Sequence, residues 1–257
     1  MFMFRPRKLF ASFTIASLLL LVSCRKDPSA PETPAIPGTV LKLTVKPTWH
    51  AASFDKNTIY TAAGDQRIHV SLVKFYLSPM ELSGENGTTQ LMDADLFDVT
   101  NGPQSRVLSV PIGTYYTLNL GLGLPPALNH RDIATIPPNA PTGNNSGMYW
   151  SWATQYRFLL FEGHFDSIPD GPGEPPYAFS LHTGLDTCYR TRAIPINLTA
   201  TSGDTARLTI NVDIARFFTN GNEVLQLSQG AMWHGEVDQL GLGLKAADLQ
   251  VASLSVE

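Results

Sequence analysis

The chain has 257 residues, 43% of them hydrophobic and 16% charged, with a formal charge of −4 at pH 7. Without residues 1–23 the balance becomes 15 basic against 22 acidic residues, a formal −7, and the only remaining basic cluster is Arg25 with Lys26. A chain so charged has no electrostatic footprint for nucleic acid or for an anionic lipid surface.

Arg5, Arg7 and Lys8 precede the apolar run TIASLLLLV and then LVSC, which ends at Cys24. A basic n-region, a short apolar h-region and a small residue before cysteine describe a secretory signal of the lipoprotein type over residues 1–23, with Cys24 as the lipidated first residue. The expected location is the cell envelope, on a lipid anchor, in the periplasm or at the outer membrane. Residues 24–38 carry four prolines and no apolar periodicity, the composition of an extended tether. The folded part is therefore expected over 39–257, and no later segment is apolar and long enough to span a bilayer. Once Cys24 is acylated, Cys188 has no disulfide partner. It is expected to be buried, with a soft metal ligand as the sharper alternative.

Alternating or β-branched runs then recur between Gly, Pro and Asn clusters: LKLTVKP (41–47), IHVSLVKFYLS (68–78), RVLSVPIG (106–113), YYTLNLGLGL (115–124), WSWATQYRFLLFEG (150–163), IPINL (194–198) and LTINVDIARFF (208–218). In LTINVDI, Leu208, Ile210, Val212 and Ile214 alternate with polar residues, as in a strand with one wet face. The best helical candidates are ARFFTNG and the segment near KAADL. These features predict an all-β fold, an antiparallel β-sandwich with long loops and one or two short helices. LGLGLPPAL (120–128) and LGLGLKAADL (240–249) share five residues, but their contexts differ too much for a repeat.

Two loops stand out. Pro125 to Met148 is long, rich in Pro and Asn, and carries His130; FDSIPDGPGEPP places Asp166, Asp170 and Glu174 among glycines, where an acidic surface turn is favoured over a calcium site because no EF-hand spacing is present. GxSxG, HExxH and CxxC are absent, and neither GLGL opens into a phosphate-cradling pattern. Glu162 and Asp166 form a carboxylate pair, but glycosidase chemistry depends on a spatial separation that sequence does not give. The chain is not expected to be an enzyme.

MYWSWATQYRF (148–158) holds five aromatic residues. Read as a strand, it puts Met148, Trp150, Trp152, Thr154, Tyr156 and Phe158 on one face. Such a wall is core packing, or an exposed platform stacking on sugar faces, or a set of indoles beside a cuprous ion. The six histidines form no HxH or HxxxH pair, so a metal site would have to be assembled from distant strands. His182, six residues before Cys188, and His234, beside Met232 and Trp233, are the better placed, because imidazole, thiol and thioether suit monovalent copper. His50 follows Trp49 at the end of the first strand and ranks lower. His69 and His164 are expected to be surface or structural.

VKFYLSPMEL, VPIGTYYTLNLGLGLPPALNH, MYWSWATQYRFLLFEGHFD and FSLHTG, in that order, resemble the MbnP-like family of exported copper-binding proteins, over about Leu41 to Val212. The resemblance implies a mainly β protein outside the cytoplasm that binds copper. In some members a tryptophan is oxidised to kynurenine by a dihaem partner of the bacterial peroxidase type. By position, Trp150 and Trp152 match the family's paired tryptophans, and His130 and His182 its recurrent NH and HTG positions. The resulting expectation is a lipid-anchored copper protein of acquisition or storage, with His182, His130, His50 and His234 as candidate ligands. The alternative is a carbohydrate-binding or surface-interaction module.

Overall fold

A computed structural model describes residues 38–151 and 155–257. The leader, Cys24, the tether up to residue 37 and Trp152 lie outside the described residues. In chain order the strands are β1 (Gly38–Trp49), β2 (Ala52–Ser53), β3 (Ile59–Ala62), β4 (Gln66–Gly84), β5 (Gly87–Met92), β6 (Asp95–Asp98), β7 (Gln104–Pro111), β8 (Gly113–Leu122), β9 (Tyr149–Ser151), β10 (Gln155–Tyr156), β11 (Leu159–Asp166), β12 (Tyr177–Leu181), β13 (Arg190–Ala200), β14 (Thr205–Asp213), β15 (Met232–Trp233) and β16 (Leu254–Val256). The α-helices are α1 (Pro126–Asn129) and α2 (Leu240–Ala252), and ARFF forms a 3₁₀ turn at Ile214–Phe217.

The alternating pattern decides which face each strand buries. Leu41, Leu43 and Val45 of β1 and Leu208, Ile210 and Val212 of β14 point into a common core, while Lys42, Thr44, Thr209 and Asn211 stay nearer solvent. These strands belong to a five-stranded sheet with the path β16-β14-β1-β2 and β7 paired to β1. Nine further strands form the second sheet along β13-β8-β4-β11-β12-β15, with β3, β5 and β6 also paired to β4. Most pairs are antiparallel, as expected, but β1–β14 and β12–β15 are parallel. Each parallel pair joins strands far apart in sequence, where a long connection is available for the crossover.

Both sheets contribute to one hydrophobic cluster. At its centre Phe161 packs against Phe179, Phe217 and Phe218 with ring centroids 5.0, 4.9 and 5.5 Å away. Each such ring contributes on the order of 1.5–3 kcal/mol through burial. Trp49 closes one end, stacked on Tyr60 at 4.1 Å.

The aromatic stretch is not one strand. Gln155 has φ +56° and the chain folds into the β9–β10 hairpin before β11 begins. Met148, Tyr156 and Phe158 are buried, whereas Trp150 is 44% exposed. With β9 paired antiparallel to β10, the stretch folds back, and Trp150 does not share the buried environment of Met148, Tyr156 and Phe158. GLGLPP fits this hairpin: Gly123 has φ +91°, and a Cβ there would meet the Phe158 ring.

Two of the three carboxylates of the acidic loop are held in ion pairs. Asp166 meets the buried Arg67 at 3.4 Å, and Glu174 pairs with His69. Those two carboxylates fasten the loop to β4.

Candidate metal centre

The site forms on the outer face of the nine-stranded sheet, at its β12–β15 edge. β11 and β12 pair with Glu162 opposite Ser180, and β12 takes β15 in parallel with Met232 opposite Ser180 and Trp233 opposite Leu181. The His182 amide donates to the Trp233 carbonyl at 2.8 Å and carries the register one residue further. Trp233 is fully buried, with its indole N–H donating to the Glu236 carbonyl at 3.0 Å and its ring seated on Gly243 of α2. Alternation then turns Met232 and His234 outward beside Ser180 and His182.

The His182 and His234 ring centroids lie 4.7 Å apart. Trp150 arrives from the β9–β10 hairpin and stands edge-on to both, 6.2 Å from His182 and 5.7 Å from His234. Arg157 lies over the indole at 5.2 Å and donates to the Gly147 carbonyl, which locks the hairpin over the imidazoles.

Hydrogen bonds set the state of His182. Its Nε2 is 2.6 Å from Glu162 Oε1 and 2.9 Å from Ser180 Oγ, and the Ser180 hydroxyl is 3.0 Å from His234 Nε2. Burial pushes the His182 imidazole below the usual histidine range; Glu162 pulls the other way, while His234 and Arg157 act with burial. A neutral ring whose Nε2–H donates to a carboxylate carries its lone pair on Nδ1. That Nδ1 is buried and has no hydrogen-bond partner. Leaving such an acceptor unmet costs about 1–3 kcal/mol.

Among the described residues, no three His, Cys, Asp or Glu side chains form a metal cage. Two imidazoles, one with an orphaned lone pair, beside an indole and with the half-exposed thioether Met232 on the same face, make instead a small, soft donor set. Such a set fits monovalent copper better than a hard cation, which takes six or more oxygens.

The other sequence candidates go elsewhere. His130 is exposed and bonds Asp186 at 2.8 Å; its neighbour Asn129 is buried, donates to the same Asp186 and accepts from the Tyr156 amide, so the NH pair clamps α1 to the β10 segment. His50 sits in a tight turn with φ +53°, its amide bonded to Asp213 at 2.8 Å. Among the described residues, neither shares a ring contact or hydrogen bond with His182 or His234. Cys188 is buried in the core, and burial pushes its thiol up. Sequence reasoning missed Glu162 as a partner of His182, and missed Ser180 and Arg157 altogether. Alternation in FEG and FSLH would have put Glu162, Ser180 and His182 on outward faces, but only strand pairing makes them neighbours.

The family model described as MbnP matches residues 38–233. A solved structure, MbnP from Methylosinus trichosporium, aligns with a TM-score of 0.47 at 14% identity, covering 79% of this chain and 82% of that one. Among curated proteins none matches.

Proposed function

This chain belongs to the MbnP family, and from that premise we propose that it is an exported, lipid-anchored protein that binds copper through His182 and His234 and carries out no reaction of its own. The observation that carries the reading is the buried, neutral His182 whose Nδ1 has no partner and whose ring faces His234 and Trp150. Glu162 and Ser180 fix the orientation of the ring, as partners of ligating histidines commonly do. Trp150 and Arg157 cover the imidazoles and limit water beside them. Met232 is on hand as a soft supplementary donor that favours the cuprous state. Copper is then cargo, taken up for acquisition or storage, and Cys24 holds the protein at the envelope membrane.

Among the described tryptophans, Trp150 is the one exposed enough for oxidation. Its exposure supports access by a dihaem peroxidase-type partner able to convert it to kynurenine. For a carbohydrate platform the arrangement is less suitable: the other rings of the stretch that the structure describes are buried or half-buried, leaving no flat row around Trp150.

The test is elemental analysis with intact mass on protein purified from its native envelope, wild type against His182→Ala and His234→Ala. Copper per chain is expected to fall in both variants. Unchanged copper in both would remove the reading.

A further inference from the structure

A second site lies on the outer face of the five-stranded sheet, in a cleft of about 430 Å³. Register puts Lys46 of β1 beside Asn211 of β14, and Thr48 beside Asp213. Arg192 enters from β13 and Arg216 from the 3₁₀ turn after β14, while Ser253, Ser255 and Glu257 form the far wall.

The cations in this cleft are unevenly paired. Lys46 meets Glu257 at 3.3 Å, a pair 64% exposed on its acidic side, and Arg216 lies 3.7 Å from Asp213. Arg192 donates to the Val251 carbonyl at 2.6 Å, but among the described residues no carboxylate reaches it. Lys46 and Arg216 thus each have a carboxylate partner in the cleft and Arg192 has none among the described residues, in a chain whose overall charge is negative. Burial and the neighbouring Arg216 both hold the Arg192 guanidinium below its ordinary range, which places the two cations within electrostatic reach of each other.

Two guanidinium groups sharing a concave wall, one of them without a counter-ion, repel each other in the empty fold, and an oxyanion between them reverses the sign of that interaction. The planar fork of Arg192 still has unused N–H donors, and such forks match the oxygens of carboxylate and phosphate. We propose that this cleft binds a small anionic molecule through a carboxylate or phosphate group seated on Arg192 and Arg216, with Lys46 as the third cation. The volume admits a polyanion the size of citrate. The site is separate from the imidazole pair, since neither His182 nor His234 lines the cleft.

The experiment is a thermal-shift and calorimetric titration of the full chain with sodium citrate and with inorganic phosphate, against sodium chloride at matched ionic strength. Saturable binding of either anion is expected, weakened at least about tenfold by Arg192→Gln and by Arg216→Gln, with Arg192→Lys intermediate because it retains charge and loses the fork. Citrate alone binding identifies a polycarboxylate site; phosphate alone binding identifies a site for phosphorylated ligands. No saturable binding beyond the chloride control overturns the proposal, as does equal binding by both Gln variants that keep the wild-type melting temperature without ligand. Copper content is expected to be unchanged in the Arg192 variants, so this outcome is read separately from the copper reading.

Discussion

His182 and His234 are joined through one hydroxyl: Ser180 Oγ lies 2.9 Å from Nε2 of the first and 3.0 Å from Nε2 of the second. With Glu162 2.6 Å from the same His182 nitrogen, these two polar side chains hold the imidazole pair in a fixed relation and leave His182 Nδ1 without a hydrogen-bond partner.

Glu162→Gln should weaken cuprous-ion affinity by about tenfold without removing the site, since a neutral amide holds the His182 tautomer less firmly. Competition with a chromophoric cuprous chelator measures this. An affinity equal to wild type would show that Glu162 does not orient the ring.

Trp150 is the described tryptophan whose ring contacts the His182 and His234 imidazoles, whereas Trp49 is buried at the other end of the core and Trp233 turns its ring inward onto Gly243. Silver ion, a redox-inert substitute for cuprous copper, should therefore quench tryptophan fluorescence in the wild type. Trp150→Phe should abolish most of that response while leaving the protein folded. A full response in the variant would place the bound ion elsewhere.

Two glycines of α2 should respond to alanine with opposite signs. A Cβ on Gly243 meets the Trp233 ring, so Gly243→Ala should cost about 1–3 kcal/mol by overpacking. It should also disturb His234, the next residue after Trp233. Nothing stands within 4 Å of a Cβ at Gly241, and Gly241→Ala should stabilise by up to about 1 kcal/mol through helix propensity. Urea unfolding of the two variants side by side tests the contrast.

Alkali should destabilise the chain through two buried phenols. Burial pushes the Tyr156 phenol up to about 12, and Tyr76 further still. Their hydroxyls donate to the Thr142 and Pro141 carbonyls at 2.6 and 2.9 Å. Because the folded state holds these protons more tightly than the unfolded one, the stability they contribute is complete below a pH of about 10 and declines as pH rises towards the folded value. Tyr156→Phe should flatten the fall in stability between about pH 10 and 12, measured by urea midpoint against pH. An identical slope in the variant would discount the phenol.

Much of the fold was legible because strand period is a local property. The alternation in LTINVDI matched the burial of β14 residue by residue up to Val212. The two LGLGL strings show where local reading ends: 120–124 runs off β8, while 240–244 opens α2. The first continues into Pro125 and Pro126, which cannot carry a strand ladder; the second continues into Lys245, Ala246 and Ala247, which favour a helix. The aromatic stretch failed as a single strand because it folds back on itself, β9 pairing with β10, and a two-residue period does not announce such a reversal.

The sequence by itself determined the β architecture and the acidic character, because side-chain alternation and residue type are written in consecutive letters. Which histidines meet was decided only in three dimensions. A parallel pairing of β12 with β15 and the seating of Trp233 on Gly243 bring His234 beside His182, while His130 and His50 turn to Asp186 and Asp213. Those contacts depend on strand order and on helix packing, which are set by the burial of the whole core and not by any neighbouring residues in the chain.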